Sequence, residues 1–199
     1  MRKVRIIAGV LVLIGVLIIS YAFAAKYWTM QKQNTMINNY EKQIKNSKNN
    51  KKSNVKDSTI DSTDLKDIIK NGTIGILTIS KIDLKVAIGE GADLKTLKYA
   101  VGHFKGTAMP GQKGNFCLAG HRSYTFGEYF NRLGELKDGD EIQVKTVNGE
   151  YKYKVYDIQV VLPSQVQVLN PTTDSTMTLV TCTPIRIATH RLIIKARLE

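Results

Sequence analysis

The sequence predicts a mainly β domain, a compact barrel or sandwich, carried behind an N-terminal apolar segment. Short strand-like runs recur between residues 73 and 198, and helix-like runs are few there. An uncharged apolar run dominates the first 25 residues. The 199 residues leave room for one ordinary domain and a shorter appendage.

The N-terminal segment has a basic tip followed by an uncharged apolar run from Ile6 to Ala25. As a helix, about 20 such residues reach about 30 Å, the thickness of a bilayer's hydrocarbon core. We therefore predict a transmembrane anchor over residues 1–25, with the tip in the cytoplasm and the remainder exported. The alternative is a cleaved signal peptide, because Ala22-Phe23-Ala24 has the form of a cleavage site.

Residues 26–70 are rich in Lys, Asn, Gln and Ser and poor in apolar side chains. Such a composition predicts a flexible or weakly helical stalk that adds nothing to a core. Its last part, from Ser62, is expected to cap a short helix that runs to Lys70. Residues 71–199 form the predicted globular domain.

Strands are predicted over residues 73–80, 82–89, 116–121, 141–147, 150–161, 176–182 and 190–198. Asn148-Gly149 predicts a tight hairpin between two of them. The apolar positions of the 150–161 run change parity near Val155-Tyr156, which predicts a β-bulge. The run 91–102 predicts a short helix with Leu94, Leu97 and Val101 on one side, and the Gly- and Pro-rich run 106–115 predicts a loop.

The net charge of +12 is concentrated near the predicted membrane anchor. Residues 26–70 hold ten basic and five acidic side chains, whereas 16 basic residues face 12 acidic ones from Asn71 onward. This distribution suits anionic lipid or wall polymer. Zinc-finger spacing, RNP-like aromatic strands and basic recognition helices are absent from the sequence, which argues against nucleic-acid binding.

The two cysteines, Cys117 and Cys182, occur without CxxC or metal-ligand spacing, so neither a disulfide scaffold nor a metal site is predicted. Cys182 ends a strand, where its side chain reaches the rim of the sheet, and Arg191 on the next strand favours a thiolate or a developing oxyanion. A small buried cysteine is the alternative for that position. Cys117 is mid-strand between apolar neighbours, so we predict a packed, inert thiol.

Three histidines are candidates for the acid–base role. His121 ends a strand behind two small residues, whereas His103 is predicted to be a surface or loop-packing residue. His190 and Arg191 are adjacent on one strand and point to opposite faces. Because His190 shares the parity of the apolar residues 192, 194 and 196, Arg191 is predicted to face a groove.

Three segments together resemble the sortase family of Gram-positive bacteria. They are GTAMPGQKGNFCLAGHR (106–122), TLVTCTP (178–184) and THRLIIKARL (189–198). The family's T-L-x-T-C motif is matched at 178–182, its histidine falls on His121 and its arginine on Arg191. The similarity runs from about residue 72 to 198. Its segments before the histidine and the cysteine are most similar to the class D branch.

The resemblance implies a closed eight-stranded sortase-type β-barrel with one or two short helices. It also implies a cysteine transpeptidase, in which Cys182 is the nucleophile, His121 the proton donor and Arg191 the oxyanion stabiliser. The expected substrates are secreted proteins with a C-terminal LPXTG-like signal, and the expected acceptors are amines of a cell-wall precursor or a pilin. Thr181, Val168 and Leu169 would contact the substrate.

No cofactor is expected. Some members of the family bind calcium, but carboxylates are scarce near the expected loops, so we predict no metal site. Two other functions remain open on the sequence: a cysteine endopeptidase that only hydrolyses, and a non-catalytic wall-binding domain. Nearby Arg122, Arg186 and Arg197 are expected to be dispensable for catalysis.

Overall fold

The computed structural model describes residues 2–53, 72–122 and 128–199, and the helix predicted from Ser62 to Lys70 lies outside them. Two α-helices and eight strands make up the described chain. They are α1 Arg2–Ser53, β1 Thr73–Ile79, β2 Leu84–Glu90, α2 Leu94–Leu97, β3 Val101–His103, β4 Gly114–Ala119, β5 Glu141–Lys145, β6 Glu150–Val161, β7 Ser175–Thr183 and β8 His190–Leu198.

The eight strands close into a barrel in the order β1-β2-β3-β4-β7-β8-β6-β5. Neighbouring strands are antiparallel, except that β2 pairs with β3 and β4 with β7 in parallel. Alternate residues of each strand fill the interior, among them Phe116, Leu118, Met177, Leu179 and Ile194. The predicted closed eight-stranded barrel is therefore confirmed.

The local predictions for β6 hold. The pairing of β6 with β8 shifts between Val155 and Asp157, so Tyr156 is the extra residue of a bulge, as the change of parity predicts. The strand pairs with β5 before the bulge, with Val144 opposite Tyr151 across the Asn148-Gly149 hairpin. Beyond the bulge its C-terminal half pairs with β8, where Val161 is opposite Arg191.

The predicted helix over 91–102 is wrong in its length and in its buried side. Helix α2 is a single turn, and Asp93 caps it by accepting hydrogen bonds from the N–H groups of Lys95 and Thr96. Leu94 is 79% exposed, and Val101 belongs to β3 instead. A three-residue strand has too few positions to reveal its period in the sequence.

The prediction of a flexible stalk without a core contribution is wrong for the part described up to Ser53. Helix α1 continues through it, and Ile37, Tyr40 and Ile44 are buried against the barrel with Ile76 and Ala87. Their spacing of three and four residues places them on one face of the helix, which a low apolar content conceals. The Tyr40 hydroxyl donates to the carbonyl of Ile74 at 2.7 Å.

The first part of α1 is long and apolar enough to cross a membrane. Its side chains, among them Ile7, Leu11, Leu17 and Phe23, are exposed. The apolar N-terminal helix is therefore a candidate membrane span. It continues without interruption into the residues that pack on β1 and β2.

Candidate active site

The candidate active site lies on the outer wall of the barrel, where the C-terminal ends of β4 and β7 run side by side. Their parallel register pairs Cys117 with Thr178 and Ala119 with Val180. The intervening residues of both strands belong to the barrel core. Because side chains alternate along a strand, Cys117, Ala119, Val180 and Cys182 all face outwards.

Cys182 and Arg191 are direct partners across the antiparallel pair of β7 and β8. Opposite residues of such a pair share a face, with Cβ atoms about 5 Å apart. The Arg191 Nη1 donates to the carbonyl oxygens of Ala188 at 3.1 Å and His190 at 3.0 Å. The other guanidinium nitrogens donate to none of the described residues, so they are available to a group bound at Cys182.

His121 follows the end of β4 by two residues. The Gly120 N–H donates to the carbonyl of Val180 at 3.1 Å, so the ladder extends one residue past Ala119. Continued by two residues, the β4–β7 register aligns His121 with Cys182. Gly120 has no room for a side chain, because a Cβ there would lie 2.5 Å from the ring of Phe130. The three predicted catalytic residues therefore lie in one row across β8, β7 and the end of β4.

The structure does not bring the side chain of Thr181 into the groove. Thr181 is buried and has the parity of the inward-facing Leu179, opposite to that of Cys182. Its hydroxyl donates to the carbonyl of Gly120 at 2.7 Å. It braces the segment that carries His121, so the prediction that Thr181 contacts the substrate is replaced by a supporting role.

Val168 and Leu169 lie in the loop between β6 and β7, as a 3₁₀ turn over Val166–Leu169. The loop covers the lower part of the outer wall, where Leu169 places its carbonyl 3.8 Å from the sulfur of Cys117. Both residues are half-buried. Above the loop, Ala119, Val180 and Cys182 are half-buried, so this strip of the outer wall, which we call the groove, is partly accessible up to Cys182.

Asn115 fixes this loop to the barrel and was not singled out in the sequence. Its side chain is buried on β4, and Nδ2 donates to the carbonyls of Val168 at 3.1 Å and Asn170 at 3.2 Å. Its Oδ1 accepts from the Thr178 hydroxyl at 2.8 Å. The signal for Asn115 in the sequence is a polar side chain within an apolar strand, because a buried amide needs hydrogen-bond partners.

Cys117 is free, fully buried and on the groove face of β4, beneath the β6–β7 loop. Burial raises the pKa of its thiol to about 12, although hydrogen bonds with the side chains of Thr107 and Thr178 oppose the shift. The thiol is therefore protonated at neutral pH, and its burial agrees with the packed cysteine that the sequence predicts. What covers it is the loop rather than the barrel core.

His103 is also buried, so it is a packing residue and not a surface one. One ring nitrogen lies 2.9 Å from a Glu90 carboxylate oxygen, and the other contacts the Thr107 hydroxyl and the Ala108 carbonyl. These contacts hold the β3–β4 loop. His190 contacts the Thr189 hydroxyl and is opposite Thr183, one position beyond Cys182.

Within the described ranges, three or more His, Cys, Asp or Glu side chains do not come together in a way that would hold a metal ion. The reactive groups of the row are thus a thiol, an imidazole and a guanidinium. They supply a nucleophile, an acid–base group and a fixed cation for a developing negative charge. This combination suits acyl transfer at a carbonyl carbon.

Comparison with known proteins identifies the family of this chain. A family model described as the sortase domain matches residues 77–199. The chain is 39% identical over 135 residues to sortase SrtE1 of Streptomyces coelicolor, covering 60% of this chain and 38% of that protein. It is 37% identical over 87 residues to sortase D of Bacillus subtilis, covering 44% and 42%. Each match thus spans about two fifths of the relative.

Other relatives are covered more completely. The match to sortase A of Bacillus anthracis is 26% identical over 198 residues, 97% of this chain and 93% of that protein. The solved structure of a Clostridium perfringens sortase D5 transpeptidase superposes with a TM-score of 0.67 at 31% identity, covering 85% of this chain and 99% of that one. Because the sortase-domain model matches residues 77–199, more than half of the sequence, the chain belongs to the sortase family.

Proposed function

We propose that this protein is a membrane-anchored cysteine transpeptidase that acts on an LPXTG-like sorting signal. The observation that supports this most is the row of Arg191, Cys182 and His121, in which Arg191 is directly opposite Cys182 and the β4–β7 register leads to His121. Arg191 contributes a cation and Cys182 a thiol, on directly opposite positions of β8 and β7. His121 contributes an imidazole at the end of the adjacent strand, β4.

In the proposed reaction, the Cys182 thiol passes its proton to His121, and the sulfur attacks the carbonyl carbon of the signal's threonine. Arg191 stabilises the tetrahedral oxyanion through guanidinium N–H groups. As the intermediate collapses, the C–N bond breaks, and the departing glycine amine takes a proton from His121. A thioester between the threonine and Cys182 remains, and the enzyme then holds the acyl group.

A second amine completes the transfer. It attacks the thioester carbonyl, gives a proton to His121 and forms a new amide while the sulfur of Cys182 leaves. We propose an amine of a cell-wall precursor or a pilin lysine as the acceptor. Water in place of the amine would give simple hydrolysis by the same residues.

The length of the groove supports a peptide substrate in extended form. From the level of Thr178, where the β6–β7 loop covers the wall, to Cys182 is four residues along β7. At about 3.3 Å per residue this is about 13 Å, room for the four residues that precede the scissile bond. Val168 and Leu169 border the far end, where the signal's Leu-Pro would lie.

The candidate span in α1 supports a single-pass anchor. With Arg2, Lys3 and Arg5 retained in the cytoplasm, the barrel lies on the outer side of the membrane, where secreted substrates carry their signals.

Mass spectrometry of the products from an LPXTG-type peptide, with and without an added amine, tests the proposal. A transpeptidase forms the new amide in preference to the acid when the amine is present. A hydrolase forms only the acid, and a wall-binding domain forms neither and has no reactive Cys182 towards iodoacetamide. Either of these last two outcomes would refute the proposed function.

A further inference from the structure

Arg122 directly follows His121 and connects it to the strand that carries Cys182. Its Nη1 donates to the hydroxyl of Thr183, the residue after Cys182, at 2.9 Å. Its Nε donates to the carbonyl of Asn131 at 3.3 Å. The Arg122 guanidinium thus connects the residue after His121 to the residue after Cys182.

The backbone ladder does not supply that connection. The pairing of β4 with β7 ends at Ala119 and Val180, and its last backbone hydrogen bond runs from Gly120 to Val180. His121 and Cys182 lie beyond this point. Two side-chain hydrogen bonds join the segments there: the Thr181 hydroxyl donates to the Gly120 carbonyl just before His121 and Cys182, and Arg122 reaches Thr183 just after them.

Arg122 is itself held in place by its surroundings. The side chain is half-buried, and a Cβ added to Gly134 would lie 2.7 Å from its Nη2. The guanidinium is therefore packed directly over the backbone of the turn that follows Asn131. A planar group with several donors suits such a three-way junction, which the single ammonium of lysine does not reproduce.

We propose that Arg122 is a positioning residue that fixes the separation of His121 and Cys182 through its hydrogen bond to Thr183. The inference rests on the proposed transpeptidase function, because a proton must pass between His121 and an amine attached to the acyl group on Cys182. Such transfers require hydrogen-bond reach, and a misplacement of about 1 Å costs up to about 100-fold in rate. This proposal replaces the expectation from the sequence that Arg122 is dispensable for catalysis.

A double-mutant cycle on the full chain tests the proposal, with kcat and KM measured for transfer of an LPXTG-type peptide to an amine. Arg122→Ala and Thr183→Val each remove one partner of the hydrogen bond, and valine keeps the shape of threonine. We expect each to lower kcat about tenfold with KM within about twofold. The double variant should be no slower than Arg122→Ala, and Arg122→Lys should recover only part of the rate.

Arg132→Ala is the matched control. Arg132 lies on the same segment as Asn131, is exposed and pairs with Asp83 at 3.1 Å and Glu135 at 2.9 Å, away from the catalytic row. It should keep the wild-type kcat. A wild-type kcat for Arg122→Ala, an equal loss in Arg132→Ala, or multiplicative losses in the double variant would each overturn the positioning role.

Alkylation of Cys182 by iodoacetamide tests the role of Arg122 separately from the proposed transpeptidase function. If the wild-type protein transfers no peptide, the proposed function fails, yet the positioning role still predicts one result. Arg122→Ala and Thr183→Val should then change the alkylation rate constant by the same factor, while Arg132→Ala leaves it unaltered. Unchanged alkylation in the first two variants would overturn the role of Arg122 independently of the substrate.

Discussion

Cys117 and Cys182 face the same side of the barrel and differ in what covers them. Cys182 is partly open at the end of the groove, whereas Cys117 is sealed under the β6–β7 loop. Burial raises the pKa of Cys117 to about 12, so its thiolate, the form that reacts with electrophiles, is scarce at every pH well below that value. Reactivity along this wall is therefore decided by the loop.

The labelling pattern follows directly. Iodoacetamide at pH 8 should modify one cysteine in the folded protein, and Cys182→Ala should abolish the modification, as peptide mass mapping would reveal. Labelling of Cys117 in folded Cys182→Ala protein would contradict this.

The raised pKa of Cys117 also affects stability at high pH. A cysteine thiol in an unfolded chain has a pKa of about 8.5. Because the pKa of folded Cys117 is higher, the folded state favours the neutral thiol, and this contribution to stability is fully present below about pH 8.5. It is lost as the pH rises towards 12. Denaturant titrations at pH 7 and pH 10 should show a larger loss of stability in the wild type than in Cys117→Ala. Equal losses would mean that the thiol is not buried in solution.

Arg191 provides the sharpest test of the catalytic row. Arg191→Ala should fold normally and lose about 10²–10³ in kcat, the usual effect of removing one oxyanion donor. Arg191→Lys should recover only part of the rate, since it lacks the planar fork of guanidinium. Arg197→Ala is the control, because Arg197 is exposed and lies towards the far end of β8, opposite Thr176. Near-wild-type turnover by Arg191→Ala would remove it from the mechanism.

Strand parity and the family motifs predict Cys182, His121 and Arg191 from the sequence, and the structure pairs the first with the third. Asn115 and Arg122 were not accessible in that way. Their partners, Val168 and Thr183, are 53 and 61 residues away along the chain, so their roles exist only once the β6–β7 loop and the strand ends are brought together. The family resemblance places Thr181 at the substrate, although alternation along β7 directs its side chain inwards.

At the scale of elements, the buried side chain of Asn115 makes the main hydrogen bonds that fix the β6–β7 loop. Asn115 donates to two loop carbonyls, and the neighbouring Thr172 hydroxyl contacts that of Thr176 at 2.8 Å. Asn115→Ala should raise KM for the peptide several-fold with a smaller effect on kcat, because the loop borders the proposed Leu-Pro site. It should also lower stability by about 1–3 kcal/mol, since the Thr178 hydroxyl loses its acceptor.

Asn170→Ala is the matched control for the loop. It changes a side chain of the same loop and keeps the backbone carbonyl that Asn115 binds. Its KM should remain that of the wild type. If the two variants have the same KM, the loop is held by other contacts or does not border the substrate.

Helix α1 is the element that composition described least well. Its polar sequence hides three buried anchors, and Gln33 and Glu41 add contacts to Lys85 on β2. Ile44→Ala should lower the free energy of unfolding by about 2 kcal/mol, whereas Met30→Ala on the exposed side of α1 should have little effect. Equal thermal stability of the two variants would show that α1 does not dock in solution.

At the scale of the whole molecule, one helix joins the candidate membrane span to the catalytic barrel. The apolar run ends near Ala25, and two contacts with the barrel, Lys32 over the Tyr99 ring and Gln33 at the Lys85 carbonyl, follow within about two turns. The candidate span is thus joined to the barrel by a docked helix. Under the proposed function, this arrangement would hold the groove near substrates that are still at the membrane.

The final prediction concerns this attachment. The full-length protein should fractionate with membranes, and protease added outside intact cells should degrade the barrel, because the basic tip retains the N-terminus in the cytoplasm. Removal of residues 1–25 should release a barrel that still carries the docked part of α1 and keeps its thermal stability. A protein that starts at Ser62 lacks Ile37, Tyr40 and Ile44, so it should melt at a lower temperature. Recovery of a mature protein that begins at Ala25 in the culture medium would establish a cleaved signal peptide instead of an anchor.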